Sequence, residues 1–299
     1  MTGAADTDRL WRWLTLAPAL AILVLLTLVP IVELVAMSVH EIVWRGGESQ
    51  WHFIGLANYA ALGRDQLFGA GIANTALFAV VGVALQMVLG FFLAVFTSRA
   101  VRGQIVYRTI FLLPILMPGI VIGAIWKLMY NPDFGVINQA AGLLGIAPHD
   151  WLGEPSLALA SVIVVDVWHW TPFCFLLLLA GLESLPQDVY EAVRVDGATP
   201  WQELVHITLP MMLPTIVVTL VFRLIVAFKV FDEVYLLTGG GPGTATEVIS
   251  FSIYRRFFTE DRAGYGSALA IVTLFTMALA IILAVTALQR RRAAAPGGA

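Results

Sequence analysis

Six long apolar stretches separated by shorter polar segments set the pattern of the chain. They cover residues 14–37, 72–97, 106–129, 157–182, 209–231 and 265–288. Each reaches about 20 residues, the length a helix needs to cross the hydrocarbon core of a bilayer. Strands of a membrane barrel would show ~10-residue stretches of alternating polarity instead, and none is visible. A helix satisfies its backbone groups internally, which lipid requires. The pattern therefore predicts an all-α membrane protein with six transmembrane helices. The domain map is an N-terminal segment 1–13, a membrane domain 14–288 and a tail 289–299. The first stretch exceeds the ~7–15 apolar residues of a signal peptide and reads as an uncleaved span.

Composition agrees. Of 299 residues, 59% are hydrophobic and 12% charged, with mean hydropathy +0.86. Soluble domains average ~45–50% apolar and ~25% charged, so a water-soluble fold is excluded. The net charge of −3 gives no pull towards nucleic acid. Cys174 is the single cysteine and lies in an apolar stretch; it forms no intrachain disulfide and reads as a small buried hydrophobe.

Six spans put both termini on one side, and Arg and Lys concentrate in short cytoplasmic segments. Arg9, Arg12, Arg99, Arg102, Arg108, Arg194, Arg290, Arg291 and Arg292 fall on the side of the termini, whereas residues 130–156 hold no Lys or Arg. Both termini are therefore expected inside. Among the outer segments, 38–71 is rich in aromatics (Trp44, Trp51, His52, Phe53, Tyr59), and 131–155 reads as turns around one short apolar piece.

An ionisable residue at membrane depth costs at least ~2.5–3.5 kcal/mol on insertion scales and faces the bundle interior. Such residues are Glu33, Lys127, Asp166, His169, Arg223, Lys229, Asp232 and Glu233. Glu33, Lys127 and Lys229 lie near outer ends, where lysine heads can snorkel to water. Asp166 and His169, three apart, share a helix face beside Trp168 and Trp170, and Pro172 interrupts the backbone ladder just beyond. Sugar hydroxyls need planar hydrogen-bonding groups, and sugar C–H faces suit aromatic rings. Asp166, His169, Trp170 and Arg223 supply both and are candidates for a substrate path. Two other readings stand beside it: Asp166 with Arg223 as a structural pair, and His169 bonded to a backbone carbonyl. Two ligands do not make a coordination sphere, so no metal site is expected.

Residues 183–210, between the fourth and fifth spans, encode a helix, a sharp turn and a second helix. Pro186 opens the first, with Asp188 and Glu191 in its early turns where negative charge suits the helix dipole. Asp196-Gly197 ends it, with Gly197 suited to a left-handed conformation. Thr199 as N-cap, Pro200 next and Gln202 after that restart the chain with a capping-box pattern. An amphipathic connector lying on the membrane would look similar; a rigid capped knob is also what receives force from a soluble partner.

The string Glu191-Ala192 … Asp196-Gly197-Ala198 … Ile207 … Leu209-Pro210 resembles the EAA loop of permease subunits of ATP-binding-cassette importers. The segment from Trp170-Thr171-Pro172-Phe173 to Ala198, Asn74-Thr75 at the start of the second span, and LTGGGPGTATE at 237–247 resemble the carbohydrate branch, of the maltose and glycerol-3-phosphate type. Val193 stands where a second Ala is usual. The resemblance implies the type I importer permease fold and a coupling role for Glu191, Ala192, Asp196, Gly197 and Ala198 against an ATPase subunit. It also implies two ATP-binding subunits carrying ATP and Mg, a second homologous permease subunit, an extracytoplasmic solute-binding protein, a sugar or polyol substrate, and residence in a bacterial inner membrane.

The chain itself has no G-x-x-x-x-G-K-[ST]. Its glycine-rich run Gly239–Gly243 contains no Lys and follows a span on the outer side. ATP hydrolysis is thus expected from partners, with no cofactor in this chain. The competing reading is an ion-gradient-driven secondary carrier, whose folds carry internal repeats with broken helices in both halves. None is visible here.

Overall fold

The computed structural model describes the backbone of residues 3–99 and 104–294, and the side chains of 11, 13–98 and 105–286. The expected segments 1–13 and 289–299 lie wholly or partly outside these residues. So do the side chains of Arg9, Arg12, Arg99, Arg102, Arg290, Arg291 and Arg292, which carried part of the orientation argument.

Among the described residues, five helices are long and apolar enough to cross a membrane: Trp13–Ser38, Gln66–Ser98, Pro155–Glu183, Pro200–Leu237 and Ala263–Thr286. The third apolar stretch differs from the expected single helix. It forms α4 (Gln104–Leu112), a 3₁₀ turn at Pro114–Leu116 and α5 (Gly119–Met129). Met117, between them, is extended at φ −87°, ψ 135°. Two prolines cause the break. Neither has a backbone N–H to continue the ladder, and Pro118 drives the residue before it out of the helical region.

The chain divides into two compact units, residues 1–65 with 253–274 and residues 66–252 with 275–299. The first contains α1 (Gly3–Ser38), the hairpin β1 (His40–Arg45) and β2 (Glu48–Phe53), α2 (Ala57–Leu62), a π turn at Arg255–Thr259 and the start of α13 (Ala263–Ala294). The apolar side chains of α1 from Leu14 to Val32 stay exposed, as suits a helix surrounded by lipid or another subunit. The hairpin was not foreseen. Its strands pair antiparallel from His40↔Phe53 to Arg45↔Glu48. Gly46 and Gly47 make the two-residue turn at φ +61° and +87°, which glycine alone adopts freely. Asp65 holds the unit together: it accepts hydrogen bonds from the Tyr265 hydroxyl at 2.6 Å and from Arg256 Nη2 at 3.1 Å.

In the second unit, α3 (Gln66–Arg99) packs along α7 (Pro155–Glu183), with α10 (Leu209–Phe228) against both. The close approach of α3 to α7 depends on Gly90, where a Cβ would sit 2.7 Å from Cys174 Cβ. Small residues at such crossings let membrane helices gain van der Waals contact. Cys174 is fully buried there, as a small hydrophobe. One apolar cluster gathers Phe78, Val83, Val162, Val165 and Val234; another gathers Ala94, Cys174, Phe175, Leu178 and Met212. The short apolar piece expected within 131–155 is α6 (Val136–Leu143).

Candidate functional site

Two polar regions stand out in the second unit. The first lies where α3, α7 and α10 meet, between the two apolar clusters. Each helix contributes one hydrogen-bonding side chain. Arg223 of α10 donates from Nε to Gln86 Oε1 at 2.7 Å and from Nη2 to Asp166 Oδ2 at 3.2 Å. Gln86 of α3 donates from Nε2 to the same Asp166 Oδ2 at 2.7 Å and to the Asp166 carbonyl at 3.1 Å. The guanidinium carbon lies 4.8 Å from the centre of the Trp170 ring, within cation–π range. Arg223 and Gln86 are fully buried, and Asp166 is 3% exposed. Arg223 Nη1 is buried without a hydrogen-bond partner among the described residues.

The sequence candidates thus fall into place unevenly. Asp166, Trp170 and Arg223 come together. His169, on the same helix, pairs through Nδ1 with Glu233 Oε1 at 3.2 Å, and that carboxylate comes from α11 (Asp232–Leu237). It does not bond the backbone carbonyl that was one of its expected partners. Gln86 was missed altogether. A glutamine in the middle of an apolar span was the available signal, because an unpaired amide at that depth is costly.

The second region is the loop between α7 and α10. α8 (Gln187–Val195) starts after Pro186 and carries Asp188 in its first turn. Asp196 caps its end and Gly197 follows at φ +78°. A glycine takes that conformation without the clash a Cβ would meet. The amides of Asp196, Gly197 and Ala198 then return to the carbonyls of Ala192, Arg194 and Val193. Thr199 opens the next helix with a complete capping box. Its amide donates to Gln202 Oε1 at 2.8 Å, and the Gln202 amide donates back to Thr199 Oγ1 at 3.4 Å. α9 (Pro200–Gln202) passes through a π turn, Glu203–Thr208, directly into α10.

Two contacts fasten α8 to that π turn. The Tyr190 and Thr208 hydroxyls are 3.0 Å apart, and Arg194 Nε donates to Glu203 Oε2 at 3.4 Å. At the other edge, Arg108 of α4 forms an ion pair with Glu183 at the end of α7. Glu191, Ala192, Asp196 and Gly197 face outward, and Ala198 is half-buried. Neither Glu191 nor Asp196 has an ion-pair partner among the described residues. Val195 and Trp201 beside them are 87% and 70% exposed. The loop presents unspent charge and bare apolar surface on a stiff frame.

A bundle of long apolar helices with a capped, outward-facing loop before its fifth span is the build of a transporter's membrane subunit. Residues 86–294 match the family described as "Binding-protein-dependent transport system inner membrane component", and the chain belongs to that family. Among curated relatives, it is 38% identical over 261 residues to the trehalose/maltose transport system permease protein MalF of Thermococcus litoralis, covering 87% of this chain and 88% of that one. It is 33% identical over 299 residues to the trehalose transport system permease protein SugA of Mycobacterium tuberculosis, covering 99% and 94%. Among solved structures, a chain of a bacterial transporter that imports the acidic polysaccharide alginate superposes with a TM-score of 0.83 at 25% identity, over 96% of this chain and 98% of that one. A chain of a bacterial alginate transporter in complex with an alginate pentasaccharide-bound periplasmic protein superposes with a TM-score of 0.83 at 25% identity, over 97% of this chain and 98% of that one. The chain is therefore a multi-pass permease subunit of an ATP-binding-cassette importer rather than a secondary carrier, and ATP hydrolysis belongs to a separate subunit.

Proposed function

We propose that this chain forms one half of the membrane channel of an importer for a sugar or polyol, with both termini cytoplasmic. Two copies of an ATP-binding subunit bind ATP and Mg, a second homologous permease completes the pore, and an extracytoplasmic binding protein delivers solute. The observation that carries the reading is the capped loop at 183–210. Its outward-facing Glu191, Ala192, Asp196 and Gly197, with Ala198 behind them, form a rigid knob suited to a cleft in an ATPase. A rigid element passes on a rigid-body movement that a slack loop would absorb. One chain has one such knob, so two ATPases need a second permease.

The substrate path runs past Asp166, His169, Trp170 and Arg223. In support, Arg223 Nη1 is a buried donor with an unused hydrogen, and leaving such a group unmet costs ~1–3 kcal/mol or more. A passing hydroxyl would meet that need, with the Trp170 ring alongside.

The test is solute uptake in right-side-out vesicles, with the chain tagged for recovery of its complex. Uptake that survives an uncoupler, stops on ATP depletion and accompanies a co-purifying ATPase supports the reading. Uptake that collapses with the ion gradient, or a chain recovered without an ATPase, refutes it. For the path, Trp170→Ala lowers uptake while the recovered complex is unchanged; full uptake in that variant removes Trp170 from the path.

A further inference from the structure

The first unit contains a cleft of about 600 Å³ bounded by β1, α2 and the start of α13. Its lining includes Glu41, Trp44, Asn58, Asp261, Arg262 and Tyr265. Tyr265 is buried with its hydroxyl spent on Asp65, and the Arg262 guanidinium carbon lies 4.5 Å from its ring centre. Asn58 is partly spent too. Its Nδ2 donates to the carbonyls of Ser38 at 2.9 Å and His40 at 3.3 Å, which ties α2 to the hairpin and leaves Oδ1 as an acceptor. The remaining polar groups are free. Glu41, Asp261 and Arg262 are exposed and have no ion-pair partner among the described residues, and the Trp44 ring is 58% exposed.

The composition of the lining selects the ligand. Two carboxylates against one guanidinium leave the cleft net negative, which disfavours phosphate or carboxylate groups. A hydrocarbon chain would strip water from three charged side chains with nothing in return. A neutral polyol meets both conditions: its hydroxyls donate to Glu41, Asp261 and Asn58 Oδ1 and accept from Arg262. Its C–H face has the indole of Trp44 to lie on. The volume falls within the ~300–1,000 Å³ of ordinary small-molecule sites and holds one or two sugar rings.

We propose that this cleft is a weak binding subsite for a neutral saccharide on the outer face of the permease. The proposal rests on the sugar-importer reading and on the orientation given there. It adds a place where solute is held by residues outside the buried polar cluster.

The test uses the full chain in lipid nanodiscs without binding protein, with maltose and trehalose as probes in saturation-transfer NMR. Signal from sugar ring protons is expected in the wild type. Removing an aromatic stacking partner is worth a factor of about 2–10, so Trp44→Ala weakens binding by up to about tenfold, while Trp44→Phe retains most of it. Trp44 is exposed, so its loss does not endanger folding. Equal signal in Trp44→Ala, displacement of maltose by inorganic phosphate, or no signal from either sugar overturns the subsite. If ATP-driven sugar uptake persists in any of those cases, the subsite alone falls. If uptake of sugar is itself absent, the functional reading falls first.

Discussion

The buried polar cluster and the capped loop are built from the same kinds of residue in the same compact unit, yet they treat charge in opposite ways. Around Arg223, one carboxylate, one amide and one aromatic ring close on a guanidinium with no access to water. In the loop, the hydrogen bonds are spent on backbone geometry through Thr199, Gln202 and Tyr190, and the carboxylates of Glu191 and Asp196 stay free. Burial makes the first region intolerant of losing Gln86, Asp166 or Arg223. Exposure makes the second tolerant in folding and sensitive in function. Charge in the cluster is spent between helices, whereas charge at the loop surface has no ion-pair partner among the described residues and is free for the partner proposed above.

The sharpest way to break this contrast is Arg223→Ala. It leaves the Asp166 carboxylate buried and unpaired, which costs about 3–5 kcal/mol, and the midpoint of thermal aggregation in detergent should fall steeply. Replacing all three members together, with Gln86→Leu, Asp166→Leu and Arg223→Met, should recover most of that stability while uptake remains lost. Failure of the triple variant to recover would mean that the cluster supports folding through more than its charges.

Gly197→Val comes next. No atom lies within 4 Å of the Cβ it would add, so the cost is the left-handed backbone alone, about 1–2 kcal/mol. The protein should reach the membrane, and ATP-dependent uptake should be lost. Thr199→Ala removes one side of the capping box at about 1 kcal/mol. Gln202→Ala removes the other, and the double variant should cost less than the sum of the two, measured as ATPase stimulation by solute. The smallest effect on folding belongs to Glu191→Gln, within about 0.5 kcal/mol. Its signature is a flatter salt dependence of ATPase association, because one screened surface charge has gone.

What the sequence reveals follows the same division. The loop is legible because its signals are local: Pro186, Gly197 and the Thr199-Pro200-Trp201-Gln202 string each dictate a backbone state within a few residues. The cluster is legible only in part. Asp166 and Arg223 announce themselves as charges in apolar spans, and the possibility that they pair was open from the start. That Gln86 completes the set depends on the rotation of α3 against α7, which an evenly apolar helix does not encode in its periodicity. His169 finds Glu233 for the same reason: two helices bring together residues 64 apart. The break at Pro114 and Pro118 and the Gly46-Gly47 turn had local signals, but a length-based reading of spans passes over the first and an aromatic-rich segment hides the second.

The π turn at Glu203–Thr208 makes α9 and α10 one continuous rod with a widened joint near its base. A helix rises ~1.5 Å per residue, so the arm from Leu209 to Phe228 is about 30 Å long, and a ~10° swing at the joint carries its far end about 5 Å. Arg223 sits about three-quarters of the way along that arm. On the coupling role proposed for the loop, a short stroke delivered at the base would arrive enlarged near the point where α3, α7 and α10 meet.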